Sequence, residues 1–156
     1  MLQQKKNKGF TIIEVLIVLA IAGLIMLIVF LAVPALQRNS RNNQYKASAA
    51  ALLGAVNEYS TNNNGATPGY VAIESNGDIS VGPDNTTTQV VGKTQGGYTA
   101  SVSMSAPTSG STGTFAVAVN KKCDGNALAN GTQKRAIAVL FNVETSNGTN
   151  PQCTES

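Results

Sequence analysis

Residues 8–33 read Lys8-Gly9-Phe10-Thr11-Ile12-Ile13-Glu14 and then VLIVLAIAGLIMLIVFLAV, and this stretch decides the fold. From Val15 to Val33 the chain holds only apolar residues and one glycine, Gly23. At about 1.5 Å per residue a helix of that length reaches roughly 28 Å, the thickness of a bilayer's hydrocarbon core. Its Leu, Ile, Val and Phe side chains favour insertion by on the order of 4–8 kcal/mol. Glu14 opposes this, but a carboxylate costs less at the membrane edge than at its centre, so the apolar contribution wins. A cleaved secretory signal would have a shorter apolar core and a small-residue exit site. A lipoprotein signal would need a cysteine at the exit, and none stands there. A plain single-pass anchor fits the length and leaves Glu14 without a purpose.

Gly9, Phe10 and Glu14, abutting an unbroken apolar run, closely resemble the class III signal of type IV pilins and pseudopilins. The resemblance implies that a membrane prepilin peptidase cuts between Gly9 and Phe10 and N-methylates Phe10. Glu14 then becomes the fifth residue of the mature chain, where the family carries a glutamate that neutralises a terminal amine during docking into a growing filament. The short leader and Phe10 are similar to the type IVa branch, and a major pilin is the expected subunit type. Gly23 matches the family's helix glycine. Pro34 lies three residues beyond the usual family proline, where this chain has Leu31. Both weaken a helix, Pro34 by removing a backbone donor and crowding the carbonyl of Phe30. The resemblance makes Gly23 and Pro34 candidates for bounding a stretch that loses helicity in the filament.

Charge fits this reading. Three of the eleven basic residues, Lys5, Lys6 and Lys8, precede Gly9, and the eight left equal the eight acidic ones. The net charge of +3 is thus a targeting signal rather than a phosphate-binding surface. No histidine is present, which removes the commonest general base and zinc ligand. Cys123 and Cys153, an even count in an exported region, read as one disulfide, with two buried thiols as the alternative. Closing that loop stabilises a fold by roughly 3–4 kcal/mol in the chain-entropy account.

After Pro34 the pattern becomes periodic. Tyr45, Ala49, Leu52, Leu53, Val56 and Tyr59 recur at three- and four-residue steps and predict one face of an amphipathic helix. Asn62-Asn63-Asn64-Gly65 ends it, giving one helix from Phe10 to Thr61. Beyond it, Tyr70–Glu74 and Asp78–Val81 predict a hairpin about Ser75-Asn76-Gly77, with a polar loop from Gly82. Tyr98, Ala100, Val102 and Met104 alternate with polar residues, and Thr114–Asn120 and Ala136–Glu144 are further strands. The expected fold is α+β, a long N-terminal helix packed on a C-terminal antiparallel sheet. The expected divisions are a leader at 1–9, a membrane and filament-core helix at 10–36, an amphipathic half at 37–64 and a β-sheet head at 65–156. The disulfide would tie the segment after Asn120 to the C-terminal tail, as in the bracketed C-terminal region of many type IV pilins.

Other motifs carry little. Lys121, Lys122, Lys134 and Arg135 read as solvated strand-end charges; nucleic-acid binding has no further support in the sequence. Asn85, Asn130 and Asn147 match the glycosylation acceptor pattern, which arises readily in a chain rich in Asn, Gly and Thr. Asp78, Asp84 and Asp124 have no calcium-loop spacing. No cofactor, metal site or catalytic constellation is expected; the chain reads as an enzyme's substrate. The resemblance implies a homo-oligomeric helical filament, with prepilin peptidase, an inner-membrane assembly platform and motor ATPases as partners. It places the precursor in the cytoplasmic membrane and the assembled subunit in an extracellular pilus, serving adhesion, surface motility or DNA uptake. The alternatives are a pseudopilin of a type II secretion or competence system, and a monomeric membrane-anchored surface binding domain.

Overall fold

The structure, a computed structural model, describes residues 9–103, 105–108 and 110–156. The leader lysines and Met104 lie outside the described residues. The chain divides into two compact units, Met1–Gln37 and Arg38–Ser156. Helix α1 runs from Ile12 to Asn62 without interruption at Gly23 or Pro34. Its N-terminal part holds an 18-residue window of mean hydropathy 3.3 with none of it buried, long and apolar enough to cross a membrane.

In the second unit the six residues of the predicted apolar face are all buried, joined by Ser48 and Ala55. They pack against the two larger of the head's three β-sheets. The first sheet has the order β1–β2–β3, with β1 at Tyr70–Ile73, β2 at Asp78–Gly82 and β3 at Gln89–Lys93. The second is ordered β4–β5–β8–β9, with β4 at Thr99–Val102, β5 at Thr114–Val119, β8 at Ile137–Thr145 and β9 at Gly148–Glu155. A short ribbon of β6 (Cys123–Asp124) and β7 (Ala127–Leu128) completes the head. All strand pairs are antiparallel except β4 with β5, so the head is the antiparallel-rich sheet region expected, with one parallel pair.

The parallel pair needs a long return connection. Asn142 on β8, 2% exposed, secures it: its Nδ2 donates to the carbonyls of Thr108 (2.9 Å) and Ser111 (3.0 Å), with Pro107 at 3.4 Å. Gly110 N donates to Thr149 Oγ1 on β9 at 2.8 Å. The buried amide thus finds its own partners in the carbonyls of the crossing, and gives Ser111 O a partner while Thr108 O also accepts from Ser111 N at 3.0 Å.

The main core lies between α1 and the inner faces of both larger sheets, with Val71, Ile79, Val81, Phe115, Val117, Ile137, Val139 and Phe141 against the helix. Tyr45, Tyr98, Phe115 and Phe141 form a chain of tilted rings with centroids 5.6, 5.7 and 5.9 Å apart. A second cluster, Ala116, Ala118, Ala138 and Leu140, lies apart from it, packed beneath Cys123, Leu128 and Cys153. Sequence alternation in β5 and β8 thus buries both sets of side chains, the larger against the helix and the smaller beneath the ribbon.

The terminator of α1 behaves as its residues dictate. Asn64 and Gly65 have φ of 55° and 82°, and Gly65 N donates back to Ser60 O at 2.7 Å. This is the left-handed exit that asparagine and glycine adopt most cheaply. In the β1–β2 hairpin, Gly77 has φ 87° and a Cβ there would strike the Thr94 carbonyl.

Candidate functional site

The N-terminal site is built from the first turn of α1. Gly9 and Phe10 precede the helix without regular secondary structure, and Phe10 is 88% exposed. Among the described residues a Cβ on Gly9 would meet nothing within 4 Å. Thr11 is the residue before the first helical position. Its hydroxyl accepts from Glu14 N at 3.4 Å, while Glu14 Oε2 accepts from Thr11 N at 2.9 Å and from the Thr11 hydroxyl at 2.7 Å.

These bonds form a reciprocal capping box, in which each residue satisfies the other's backbone donor. Two donors that would face lipid at the membrane edge are thereby met within the chain. The carboxylate also lies at the positive end of the helix dipole. Glu14 is therefore no isolated charge in an apolar segment. The sequence carried this signal in Thr11-Ile12-Ile13-Glu14, a Ser/Thr-x-x-Glu pattern immediately before an apolar run. The Thr11 hydroxyl is as much a part of the site as the Glu14 charge.

Downstream, apolar side chains are exposed all round the helix, from Ile12 through Val33. An apolar surface of this kind requires lipid or other apolar helices around it. Gly23 has open space at its missing Cβ, and Pro34 removes one backbone donor inside the helix.

The head supplies a second cluster, which ties α1 to the sheet. Arg41 Nε donates to Glu144 Oε1 at 2.8 Å and Arg41 Nη2 bonds Oε2, with Tyr45 Oη donating to Oε1 at 3.3 Å. The side-chain amide of Asn42 brackets the backbone of Glu144, Nδ2 donating to its carbonyl at 2.8 Å and Oδ1 accepting from its N–H at 2.7 Å. Arg41, through these hydrogen bonds, holds the Glu144 carboxyl below its ordinary range. Elsewhere Cys123 and Cys153 form a disulfide with Cα atoms 5.8 Å apart, joining β6 to β9. Among the described residues no cluster of three or more His, Cys, Asp or Glu is arranged to hold a metal. Asn85, Asn130 and Asn147 are all exposed in turns or loops. The three aspartates Asp78, Asp84 and Asp124 are not brought together: Asp78 pairs with Lys93 at 3.2 Å, and Asp84 accepts from Thr86 and Thr87.

Compared with known proteins, residues 4–30 match the family model for the prokaryotic N-terminal methylation motif. That match spans the exposed Gly9–Phe10 junction, the capping box and most of the bare apolar helix. No curated protein and no solved structure matches the chain.

Proposed function

From a chain that carries the prokaryotic N-terminal methylation motif, the signature of type IV pilins and prepilins, we propose that the protein is the precursor of a type IV filament subunit. Prepilin peptidase cleaves the bond between Gly9 and Phe10 and methylates the new amine of Phe10. The apolar helix then leaves the membrane to pack with other copies of itself. The single observation that carries this reading is the coincidence of the motif with an accessible junction, immediately before a capped, wholly exposed apolar helix.

Each residue then has a physical task. Gly9 leaves room for the peptidase at the scissile bond. Thr11 holds the Glu14 carboxylate next to the new N-terminus. Glu14 supplies the negative charge that attracts the amine of Phe10, its own or a neighbour's, during docking. Gly23 and Pro34 supply the weak points at which the helix loosens as it is drawn from lipid into the filament. The head, closed by the Cys123–Cys153 disulfide, forms the exterior. The partners are further copies of this chain, the peptidase, and an inner-membrane assembly platform with its motor ATPases. The chain itself performs no catalysis, and its filament serves adhesion, surface motility or DNA uptake.

N-terminal sequencing and mass spectrometry of material sheared from cells test this directly. The expected start is methylated Phe10 in long surface fibres. A start at Met1 overturns the reading, and processed chains found only in short periplasmic assemblies indicate a secretion pseudopilin instead.

A further inference from the structure

The sequence places asparagine directly before glycine four times, at Asn64–Gly65, Asn76–Gly77, Asn130–Gly131 and Asn147–Gly148. This dipeptide carries chemistry of its own. Once hydroxide has taken its proton, the glycine amide nitrogen attacks the Cγ of the preceding side chain, and the missing Cβ leaves that approach unobstructed. All four asparagines are exposed, so access to water does not distinguish them. The state of the glycine amide does.

At three of the pairs the fold restrains the reacting groups. Gly65 N donates to Ser60 O at 2.7 Å in the turn that ends α1. Gly77 N donates to Glu74 O at 2.9 Å. The Asn76 side chain is also held at both ends, Nδ2 donating to Asp78 Oδ2 at 2.7 Å and Oδ1 accepting from Asp78 N at 3.0 Å. Gly148 closes the β8–β9 hairpin opposite Thr145, whose hydroxyl donates to Gly148 O at 3.1 Å. Each of these turns must open before its amide can reach the side chain.

Asn130–Gly131 lies instead outside any strand, in the connection from β7 to β8. Among the described residues Gly131 N donates to no backbone or side-chain group, and the Asn130 side chain has no hydrogen-bond partner. A Cβ on Gly131 would meet nothing within 4 Å of these residues, whereas one on Gly77 would strike the Thr94 carbonyl. The pair's one hold is on the other side of the glycine, where Lys121 Nζ donates to Gly131 O at 2.6 Å and leaves the N–H free.

We infer that Asn130 is a self-modification site, which deamidates through a cyclic imide while Asn64, Asn76 and Asn147 keep their amides. The bond from Gly131 N to Asn130 Cγ forms and the Cγ–Nδ2 bond breaks, the nitrogen leaving as ammonia with a proton from water. Water then opens the succinimide ring. Attack at one carbonyl gives aspartate, and attack at the other gives isoaspartate, whose main chain runs through the former side chain. Water and hydroxide are the only reactants besides the chain itself. Either product places a carboxylate next to the residue whose carbonyl Lys121 holds, so the connection gains negative charge as the molecule ages. The same step removes the glycosylation acceptor Asn130-Gly131-Thr132. It needs no second copy of the chain, so the inference stands or falls independently of filament assembly.

The test incubates the unglycosylated full chain, folded in detergent with its disulfide intact, in heavy-oxygen water under mildly acidic and mildly alkaline buffer. Peptide mass spectrometry with fragmentation reads heavy-oxygen uptake at each asparagine, and labelling by an isoaspartyl methyltransferase counts the isoaspartate. Uptake at Asn130 should be at least about tenfold faster than at Asn64, Asn76 or Asn147, because the others wait on local opening. It should be faster in the alkaline buffer and yield both products. In urea the four rates should converge, which assigns the selectivity to the fold rather than to neighbouring residues. Equal rates at the four sites of the folded chain overturn the inference, as does a faster site among the other three. No uptake at Asn130 overturns it as well.

Discussion

Arg41 of α1 and Glu144 of β8 form a two-point ion pair across 103 residues of sequence, Nε to Oε1 at 2.8 Å and Nη2 to Oε2. Arg41 hydrogen bonds lower the carboxyl's pKa, and the same bonds raise that of the guanidinium. A carboxylate whose folded pKa is depressed stabilises the fold above its unfolded value, near about 4.3 for glutamate. That contribution disappears as pH falls through the lowered folded value. Thermal melting of the detergent-solubilised chain should therefore be flat from about pH 7 to 5 and fall below about pH 4. Glu144→Gln should shrink the acid drop without abolishing it, because Asp84 is lowered in the same way by Thr86 and Thr87. An unchanged acid profile in this variant would show that the pair contributes nothing.

Asn142 is expected to be the costliest single polar loss in the head. Asn142→Ala removes the buried amide's bonds to the Thr108 and Ser111 carbonyls, of which Thr108 O keeps its bond from Ser111 N, and this should destabilise by about 1–3 kcal/mol. Urea unfolding measures the loss, and limited proteolysis should find new cleavage between residues 103 and 113. A variant as stable as the parent would mean that the connection has other anchors.

Thr11 and Glu14 should separate in their effects. Glu14→Ala is expected to insert and be cleaved normally, yet to yield few filaments in sheared fractions. Thr11→Ala keeps the charge but removes the cap, a loss of about 0.5–2 kcal/mol of helix stability. Its filament yield should fall less than that of Glu14→Ala. Normal yield from the Glu14 variant removes the assembly role.

Reducing the Cys123–Cys153 disulfide should lower stability by roughly 3–4 kcal/mol by the chain-entropy account. Paired Cys123→Ser and Cys153→Ser substitutions should reproduce that loss and make denaturation insensitive to reductant. A remaining response to reductant in the double variant would point away from this bond.

Much of the fold was legible wherever side-chain periodicity was strong. The buried face of α1, the β1–β2 hairpin, β5 and β8 follow the apolar spacing closely. β3 and β9 did not announce themselves. Gln89–Lys93 is brief, and Gly148–Glu155 has almost no apolar residues and includes Pro151, so its pairing with β8 comes from tertiary context. The parallel register of β4 was hidden for another reason: the residue that permits it, Asn142, lies on a different strand. At the N-terminus the motif residues are plain in the sequence, whereas the Thr11 cap is a matter of hydrogen-bond geometry rather than charge. The return of the chain at Gln133–Arg135 past Asn120, which accepts from Gln133 N and Arg135 N, likewise appears only in three dimensions.

The alanines beneath the disulfide ribbon carry a consequence for how this chain can diverge. Ala116, Ala118 and Ala138 are each almost fully covered, so a larger side chain at any of them must lift β6 and β7 from the sheet. Turns such as Ser146–Asn147 face only solvent and tolerate almost any polar replacement. Descendants of this sequence should therefore drift fastest at the hairpin tips, while the three small residues change least. Surface identity would be renewed around a fixed floor, so that a head altered to an outside observer still closes on the same sheet.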